Sequence, residues 1–515
     1  MPAKFGRRQV VSMKSAGRTE STLSMNTPSP YTFVLFGATG DLSLRKVLPA
    51  LFRAFRTGQL GSDAATDTGH ILAISRKPMD AASYRAWCEE HARVHIKPDV
   101  WDEDAWKRFL ATIDYMPLDL GRTEEFDALA ERLSQRKGVR IFYLATGPSL
   151  FIPICEGLRS AKLNDNSRIV LEKPLGHDLA SSVAINDAVG ASFREDQIYR
   201  IDHYLGKEAV QNLLALRFGN AIFEPLWRRE LIESIQITIA EAIGVEGRGE
   251  FYEQTGALRD MVQNHLLQLL AIVAMEPPLS MDADAVRDEK LRVLRSLRPL
   301  DDETVARNVV RGQYGGGAID KSAVPAYVDE PGVPPDSQTE TFVALKAEID
   351  NWRWAGVPFF LRTGKRLGER VAEIVVNYRA TPYPLLGEAT AHPGANRLVI
   401  RLQPNESIRL YCLAKLPGEG MTLQSVHLDL AFDQFFKGHR MDAYERLLLD
   451  VINGRLALFV RRDEQEQAWR WVAPIQAYWS RQHKGPKRYA AGTWGPPAAS
   501  ALLAQYGTSW VEEDN

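Results

Sequence analysis

The rhythm of residues 31–202 limits the possible folds more than any other feature of this chain. Short apolar runs alternate there with amphipathic stretches. "YTFVLF", "HILAIS", "VRIFYLAT", "SRIVLEKP" and "QIYRID" read as strands, while "DLSLRKVLPALFRAF", "AASYRAWCEEHARV", "SLFIPICEGLRSA" and "LASSVAINDAVGASF" carry apolar residues at helical spacing. Apolar strands with no polar face need helices on both sides. The segment is therefore predicted to be a doubly wound, Rossmann-like α/β domain with a parallel sheet. After Asp202 the habit changes. A helix is expected near Gly206, "ESIQITIAE" alternates as a strand, and "TGALRDMVQNHLLQLLAIVAM" reads as one long amphipathic helix. "TFVALKAEI", "VAEIVVNYR", "NRLVIRLQ", "SIRLYCLAK" and "SVHLDLAF" then follow with few helices between them. Residues 203–515 are thus expected to form a larger α+β domain on a mostly antiparallel sheet. "YVDEPGVPPDSQTET" reads as an exposed loop within it, and "DAYERLLLDVINGR" and "DEQEQAWRWVAPIQAYW" as helices.

The turn after the first strand carries chemistry. In "VLFGATGDLSLRK", Gly37 and Gly40 have the spacing of a phosphate-cradling loop, with Ser43 where a third small residue would stand. Glycines let the backbone approach a pyrophosphate, and the N–H groups of the following helix meet its charge. A G-x-x-G alone says little; between the first strand and first helix of such a pattern it points to a dinucleotide. The second strand ends "AISRKP". No acid stands there before Asp80 to hold a ribose 2′-hydroxyl, whereas Arg76 suits the 2′-phosphate of NADP.

Composition excludes other functions. Of 515 residues, 45% are hydrophobic and 25% charged, with a net charge of -2, so nothing calls for nucleic acid or a membrane surface. No apolar run is long enough to span a bilayer. Cys88, Cys155 and Cys412 stand far apart, which argues against a zinc site or a disulfide framework and fits a reducing, cytoplasmic location. Residues 1–30 are basic and lack a secretory core. They are expected to be a disordered tail, or to precede a true start at Met25, rather than a transit peptide.

Two polar clusters remain. "RIDHYLGKEAV" packs Asp202, His203, Tyr204, Lys207 and Glu208 behind an apolar run; read alone it is either a solvated connection or a site. "GALRDMVQNHLLQLL" carries Asp260, Asn264 and His265 in an otherwise apolar stretch. A buried histidine bonded to structure would read the same way, but polar groups buried there must find partners, and three converging suggest a site. A histidine there suits removal of a hydroxyl proton while hydride leaves the same carbon. Lys173 of "VLEKPLG" stands at a strand's carboxyl end, where α/β sheets bind ligands, although a surface cation would read the same way.

Taken in order, "GATGDL", "EKPLG", "RIDHYLGKE", "RDMVQNH", "PFFLRTGKRL" and "DAYERLLLDV" resemble the glucose-6-phosphate dehydrogenase family over almost the whole chain, from Tyr31 to about Trp479. The resemblance implies oxidation of D-glucose 6-phosphate at C1 to 6-phosphoglucono-δ-lactone, with NADP as cofactor and no metal. It implies His265 as the base, Asp202 as the group that orients it, and Lys173 near both the C1 oxygen and the nicotinamide. His203, Tyr204 and Lys207 would hold the phosphate, with Glu208 given no ligand role. Glu241, Asp260, Lys365, Arg370 and Gln403 would contact the substrate. Gly37, Ala38, Thr39, Gly40, Asp41, Leu42, Ser43 and Leu44, with Lys46, Arg76, Tyr143 and Lys173, would hold the cofactor. A homodimer or homotetramer is expected by the same analogy. Two departures stand out. Leu44 replaces a lysine common in the family. Arg409 and Tyr411 stand where a tyrosine and a lysine would serve a second, structural NADP, so that site is not expected.

Overall fold

The computed structural model describes residues 29–61, 69–386, 395–435, 441–482 and 484–512. Expectations for residues 1–28, including a start at Met25, lie outside them. The first unit is a six-stranded, wholly parallel sheet: β1 (Tyr31–Phe36), β2 (Gly69–Ser75), β3 (Ile113–Pro117), β4 (Val139–Leu144), β5 (Ser167–Leu171) and β6 (Ile198–Arg200). The spatial order is β3-β2-β1-β4-β5-β6. The order reverses between β1 and β4, and such a switch point opens a crevice at the strands' carboxyl ends. Five of the six strands are among those expected. The sixth, β3, has the sequence "IDYMP" and a burial pattern that alternates rather than a solid apolar run, which is why it escapes a search for apolar blocks.

The second unit is built on nine strands. They are β7 (Ile232–Ala240), β8 (Val309–Gly315), β11 (Phe342–Ala347), β12 (Phe359–Gly364), β13 (Val371–Tyr378), β14 (Arg397–Gln403), β15 (Ser407–Lys415), β16 (Leu423–Ala431) and β17 (Lys487–Ala490). A small hairpin, β9 (Gly317–Ile319) and β10 (Ser322–Val324), stands apart. The sheet runs β16-β15-β14-β13-β7-β12-β11-β8-β17. It is mostly antiparallel as expected, with β7–β12 and β8–β17 as parallel exceptions. The first exception matters: two parallel neighbours deliver both carboxyl ends to one place, so Glu241 and Lys365 emerge side by side. Alternation along β12 sends Phe359 and Leu361 into the core under the long central helix, and Phe360 into the core under the C-terminal helix Pro497–Ala504.

Three sequence readings need correction. The stretch expected as one helix breaks at Gly256, whose backbone is left-handed (φ +69°). Its continuation, Leu258–Leu266, has π-type turns before regular helix resumes over Leu267–Ala274. The "exposed" loop at 327–341 is pinned by buried side chains: Tyr327, Glu330, Ser337 and Glu340 all turn inward. Finally, helix Ala443–Asn453 lies late in the chain but packs on helix Leu48–Arg56, adding Leu447, Leu448, Val451 and Ile452 to the core of the first unit. Arg168 of β5 fixes its end by donating to the carbonyls of Val451 and Ile452 at 2.6 Å.

Candidate active site

The site lies where the carboxyl ends of β5 and β6 face the π-turned helix. Asp202 and His265 are 2% and 1% exposed, and Asp202 Oδ1 is 2.7 Å from His265 Nδ1. Burial pushes the Asp202 carboxyl up, but the imidazole beside it and the Tyr204 N–H at 2.9 Å outweigh that and hold it well below the usual range. The carboxylate can only accept, so Nδ1 carries the proton and Nε2 the lone pair. That lone pair faces Lys173 Nζ at 2.9 Å. Lys173 also donates to the Asp260 carboxylate at 2.9 Å and to its carbonyl at 3.1 Å. Burial lowers the pKa of His265 and Asp202 pulls it back up, with lowering the net result. The ring is therefore a neutral acceptor at neutral pH, as a general base should be.

A second group of cations lies beyond this cluster. The Tyr204 ring is 4.6 Å from the His265 ring and carries Lys207 Nζ over its far side at 4.2 Å. Lys207 donates to Gln403 Oε1 at 2.5 Å. Burial, and then the neighbouring Arg370 charge, push this ammonium down to about 8. A half-buried Lys207 with the exposed Arg370 charge beside it suits a dianionic ligand. His203 lies beside them, edge-on to His265 at 4.6 Å, and burial holds its pKa well below the ordinary histidine value, so it joins as a neutral ring. Lys365 bonds Glu241 at 2.7 Å, and its charge, after that of Lys173, helps keep Asp260 ionised against its burial. The residues expected to touch substrate thus converge from five separate segments. Asp202, His203 and His265 also offer three possible metal-ligand atoms within 4.8 Å of one another. Here Asp202 Oδ1 and His265 Nδ1 are spent on each other, an arrangement that orients a base.

The dinucleotide side is built from backbone. Gly37 is left-handed (φ +77°), and a Cβ there would stand 2.3 Å from the Ala145 carbonyl, so only glycine fits the turn. Gly40 N–H closes on the Gly37 carbonyl at 2.9 Å and Ser43 Oγ donates to the same oxygen at 2.9 Å. The first-turn N–H groups of the helix that follows lack acceptors inside the helix, as a pyrophosphate site requires. Thr39, Gly40 and Leu42 are half-buried, Lys46 and Arg76 are exposed, and Asp41 turns out to meet Arg45 at 3.5 Å. The donors and cations present fit a dinucleotide's pyrophosphate and ribose. The expected cofactor set divides, however. Ala38 and Tyr143 have no exposed surface and Leu44 is 8% exposed, so these three side chains belong to the core. Tyr143 donates to Glu172 Oε1 at 2.5 Å.

Glu172 is the residue that the sequence reading passed over. It is 5% exposed, burial raises its pKa, and it accepts from both Tyr143 and Tyr444. Tyr444 in turn lies parallel to His203 at 6.2 Å. An acid beside a lysine at the end of an apolar strand must find partners indoors, and that was the available signal. Arg409 pairs with Asp429 at 3.4 Å and the Tyr411 ring lies 4.3 Å from the Arg397 guanidinium, so both are engaged within the sheet.

A switch-point crevice with a glycine turn on one wall and an aspartate-held histidine on the other defines a nicotinamide-dinucleotide-dependent oxidoreductase. The model of the glucose-6-phosphate dehydrogenase NAD binding domain matches residues 34–212, and that of the C-terminal domain matches residues 214–511. The chain belongs to the glucose-6-phosphate dehydrogenase family. It is 48% identical over 486 residues to glucose-6-phosphate 1-dehydrogenase of Rhizobium meliloti, covering 93% of this chain and 97% of that one. With the enzyme of Mycolicibacterium smegmatis the identity is 49% over 495 residues, covering 94% and 98%. A solved structure of glucose-6-phosphate dehydrogenase in complex with its substrate glucose-6-phosphate superposes with a TM-score of 0.85, at 36% identity over 94% of this chain and 99% of that one.

Proposed function

We propose that this enzyme oxidises D-glucose 6-phosphate at C1 to 6-phospho-D-glucono-1,5-lactone with NADP+ as acceptor, using His265 as base. The observation that carries the reading is the pairing at His265: Nδ1 is tied to Asp202, which leaves Nε2 as the acceptor, engaged here by Lys173 at 2.9 Å. Lys207, His203 and the Tyr204 hydroxyl hold the phosphate, with Arg370 adding charge. Glu241, Asp260, Lys365 and Gln403 take the sugar hydroxyls and fix the ring. The C1 hydroxyl donates to His265 Nε2 in the position Lys173 now fills, and Lys173 stays on Asp260 beside the C1 oxygen. A bound nicotinamide would supply the hydride acceptor for C1. The hydroxyl proton passes to Nε2, C1 becomes a carbonyl carbon, and Asp202 steadies the imidazolium until it releases that proton to water.

NADP rather than NAD is supported by the end of β2. Arg76 and Lys77 are exposed there, while Asp80, the first acid after the strand, is committed to capping the next helix through the Ser83 N–H at 2.8 Å. A cytoplasmic homodimer or homotetramer completes the reading. The three cysteines are free thiols, and β16 shows solvent an apolar row of Val426, Leu428 and Leu430, 42%, 68% and 37% exposed. Among the described residues no helix is long and apolar enough to cross a membrane.

The deciding experiment follows nicotinamide reduction by absorbance with glucose 6-phosphate and either NADP+ or NAD+, identifies the lactone, and repeats the assay with free glucose. Reduction that depends on the phosphate supports the reading. No reduction, or equal rates with glucose and its 6-phosphate, overturns it.

A further inference from the structure

The helix that carries Asp260 and His265 begins with a carboxylate borrowed from elsewhere in the chain. Glu340 precedes β11 and is 9% exposed. Its Oε1 accepts from the Leu258 N–H at 3.0 Å, and its main-chain carbonyl accepts from the Ala257 N–H at 2.9 Å. These are first-turn donors with no partner inside the helix; burial raises the Glu340 pKa, and its oxygen serves as their acceptor in either protonation state. The helix's own N-terminal residues supply no side-chain cap. Room for the carboxylate comes from Gly256: a Cβ there would lie 2.5 Å from Glu340 Oε1, and the backbone is left-handed as well. The next residue ties down the opposite wall. The Thr341 carbonyl accepts from the Lys365 N–H at 2.9 Å, while Tyr489 bridges the Thr341 hydroxyl at 3.1 Å and the Lys365 carbonyl at 2.6 Å. Two consecutive residues thus fix both the helix bearing the base and the lysine facing Asp260.

We propose that Glu340 is a positioning residue for the dehydrogenase reaction. It caps the catalytic helix from across the domain and, through Thr341, keeps Asp260 and His265 in register with Lys365. The inference rests on His265 being the base. The hydrogen bonds of Glu340 go to the main chain of the helix at Ala257 and Leu258, so its effect reaches the chemistry through geometry. A displacement near 1 Å in such a site costs on the order of 100-fold in rate.

The test compares the full-length wild type with Glu340→Ala, Glu340→Asp and Glu340→Gln. Each preparation is normalised to folded protein by its thermal melt, with kcat and both KM values measured. In E340A, kcat should fall about 10- to 100-fold and KM for glucose 6-phosphate should rise, while KM for the dinucleotide stays put. E340Q keeps an acceptor in the same place and should recover most of kcat, whereas the shorter E340D should not. If E340A does not fold, E340D against E340Q carries the comparison. Lowered stability with unchanged kcat per folded molecule, or equal loss in E340Q and E340D, overturns the proposal. A wild type that fails to reduce the dinucleotide with glucose 6-phosphate would instead overturn the function on which it rests.

Discussion

On one wall of the crevice a ligand meets main chain; on the other it meets ionised side chains packed at almost crystalline closeness. The Gly37–Leu44 turn comes from one contiguous stretch, and most of its side chains point into the core or out to solvent. The sugar wall gathers Lys173, Asp202, Lys207, Asp260, His265 and Lys365 from four segments; Lys173 is held by Asp260, His265 by Asp202, Lys365 by Glu241 and Lys207 by the Gln403 amide. A backbone site tolerates side-chain truncation, because the groups that bind are present in every residue. A site made of coupled charges should fail when one is removed, since its partners are then left buried and unpaired.

The largest break is expected at His265. Replacement by Asn keeps a similar volume and removes the proton acceptor. Steady-state kinetics should show kcat lower by about 100- to 10,000-fold with KM for glucose 6-phosphate almost unmoved. A raised KM with kcat intact would make His265 a binding residue and leave the mechanism without a base.

Asp202→Asn sharpens the same wall and adds a sign. Burial lowers the His265 pKa and the Asp202 charge raises it. The base form persists above the ring's pKa, so the acid limb of kcat/KM in the wild type should fall below the ordinary histidine value of about 6.5. Without the carboxylate charge the ring loses its raising influence, and the limb should move to still lower pH while kcat drops through loss of the tautomer. An acid limb that moves upward would contradict the assignment.

How far the sequence could foretell these two walls follows from how each is made. The glycine turn was legible because its signal is local: apolar strand, two glycines and helix lie within one window. The segments of the sugar wall could be named, since buried polar groups in "RDMVQNH" and crowded ones in "RIDHYLGKE" demand an explanation. The meeting of Glu241 with Lys365, however, depends on β7 and β12 being parallel neighbours in a sheet that periodicity alone makes antiparallel. Glu172 and Glu340 were missed for a related reason. Each acts through a long-range partner, Tyr444 in one case and the Leu258 N–H in the other, and no spacing along the chain records that. The helix Ala443–Asn453 shows this at the scale of the fold, since its amphipathic pattern was clear but not the distant core it fills.

Lys207→Ala tests whether the far cations act as a phosphate clamp. A hydrogen bond to a charged group contributes about 1.5–3 kcal/mol, so KM for glucose 6-phosphate should rise roughly ten- to hundredfold. The poor reaction with free glucose should barely change. Equal effects on both would place Lys207 in the scaffold of Gln403 and Tyr204 rather than on the ligand.

The smallest effect is expected on the backbone wall. Arg76→Ala removes an exposed side chain that no hydrogen bond among the described residues holds in place, leaving Lys77 beside it 3.7 Å from the Trp87 ring centre. A charge-assisted contact at a solvent-accessible site is worth about 1 kcal/mol, so KM for NADP+ should rise about fivefold and KM for NAD+ should hardly move. The measurement is the ratio of kcat/KM for the two dinucleotides in mutant and wild type. A fall in that ratio places selectivity in a side chain added to a backbone cradle. An unchanged ratio would move selectivity to Lys77 or Lys46, while a collapse of both activities would mean that this wall, like the other, depends on a single charge.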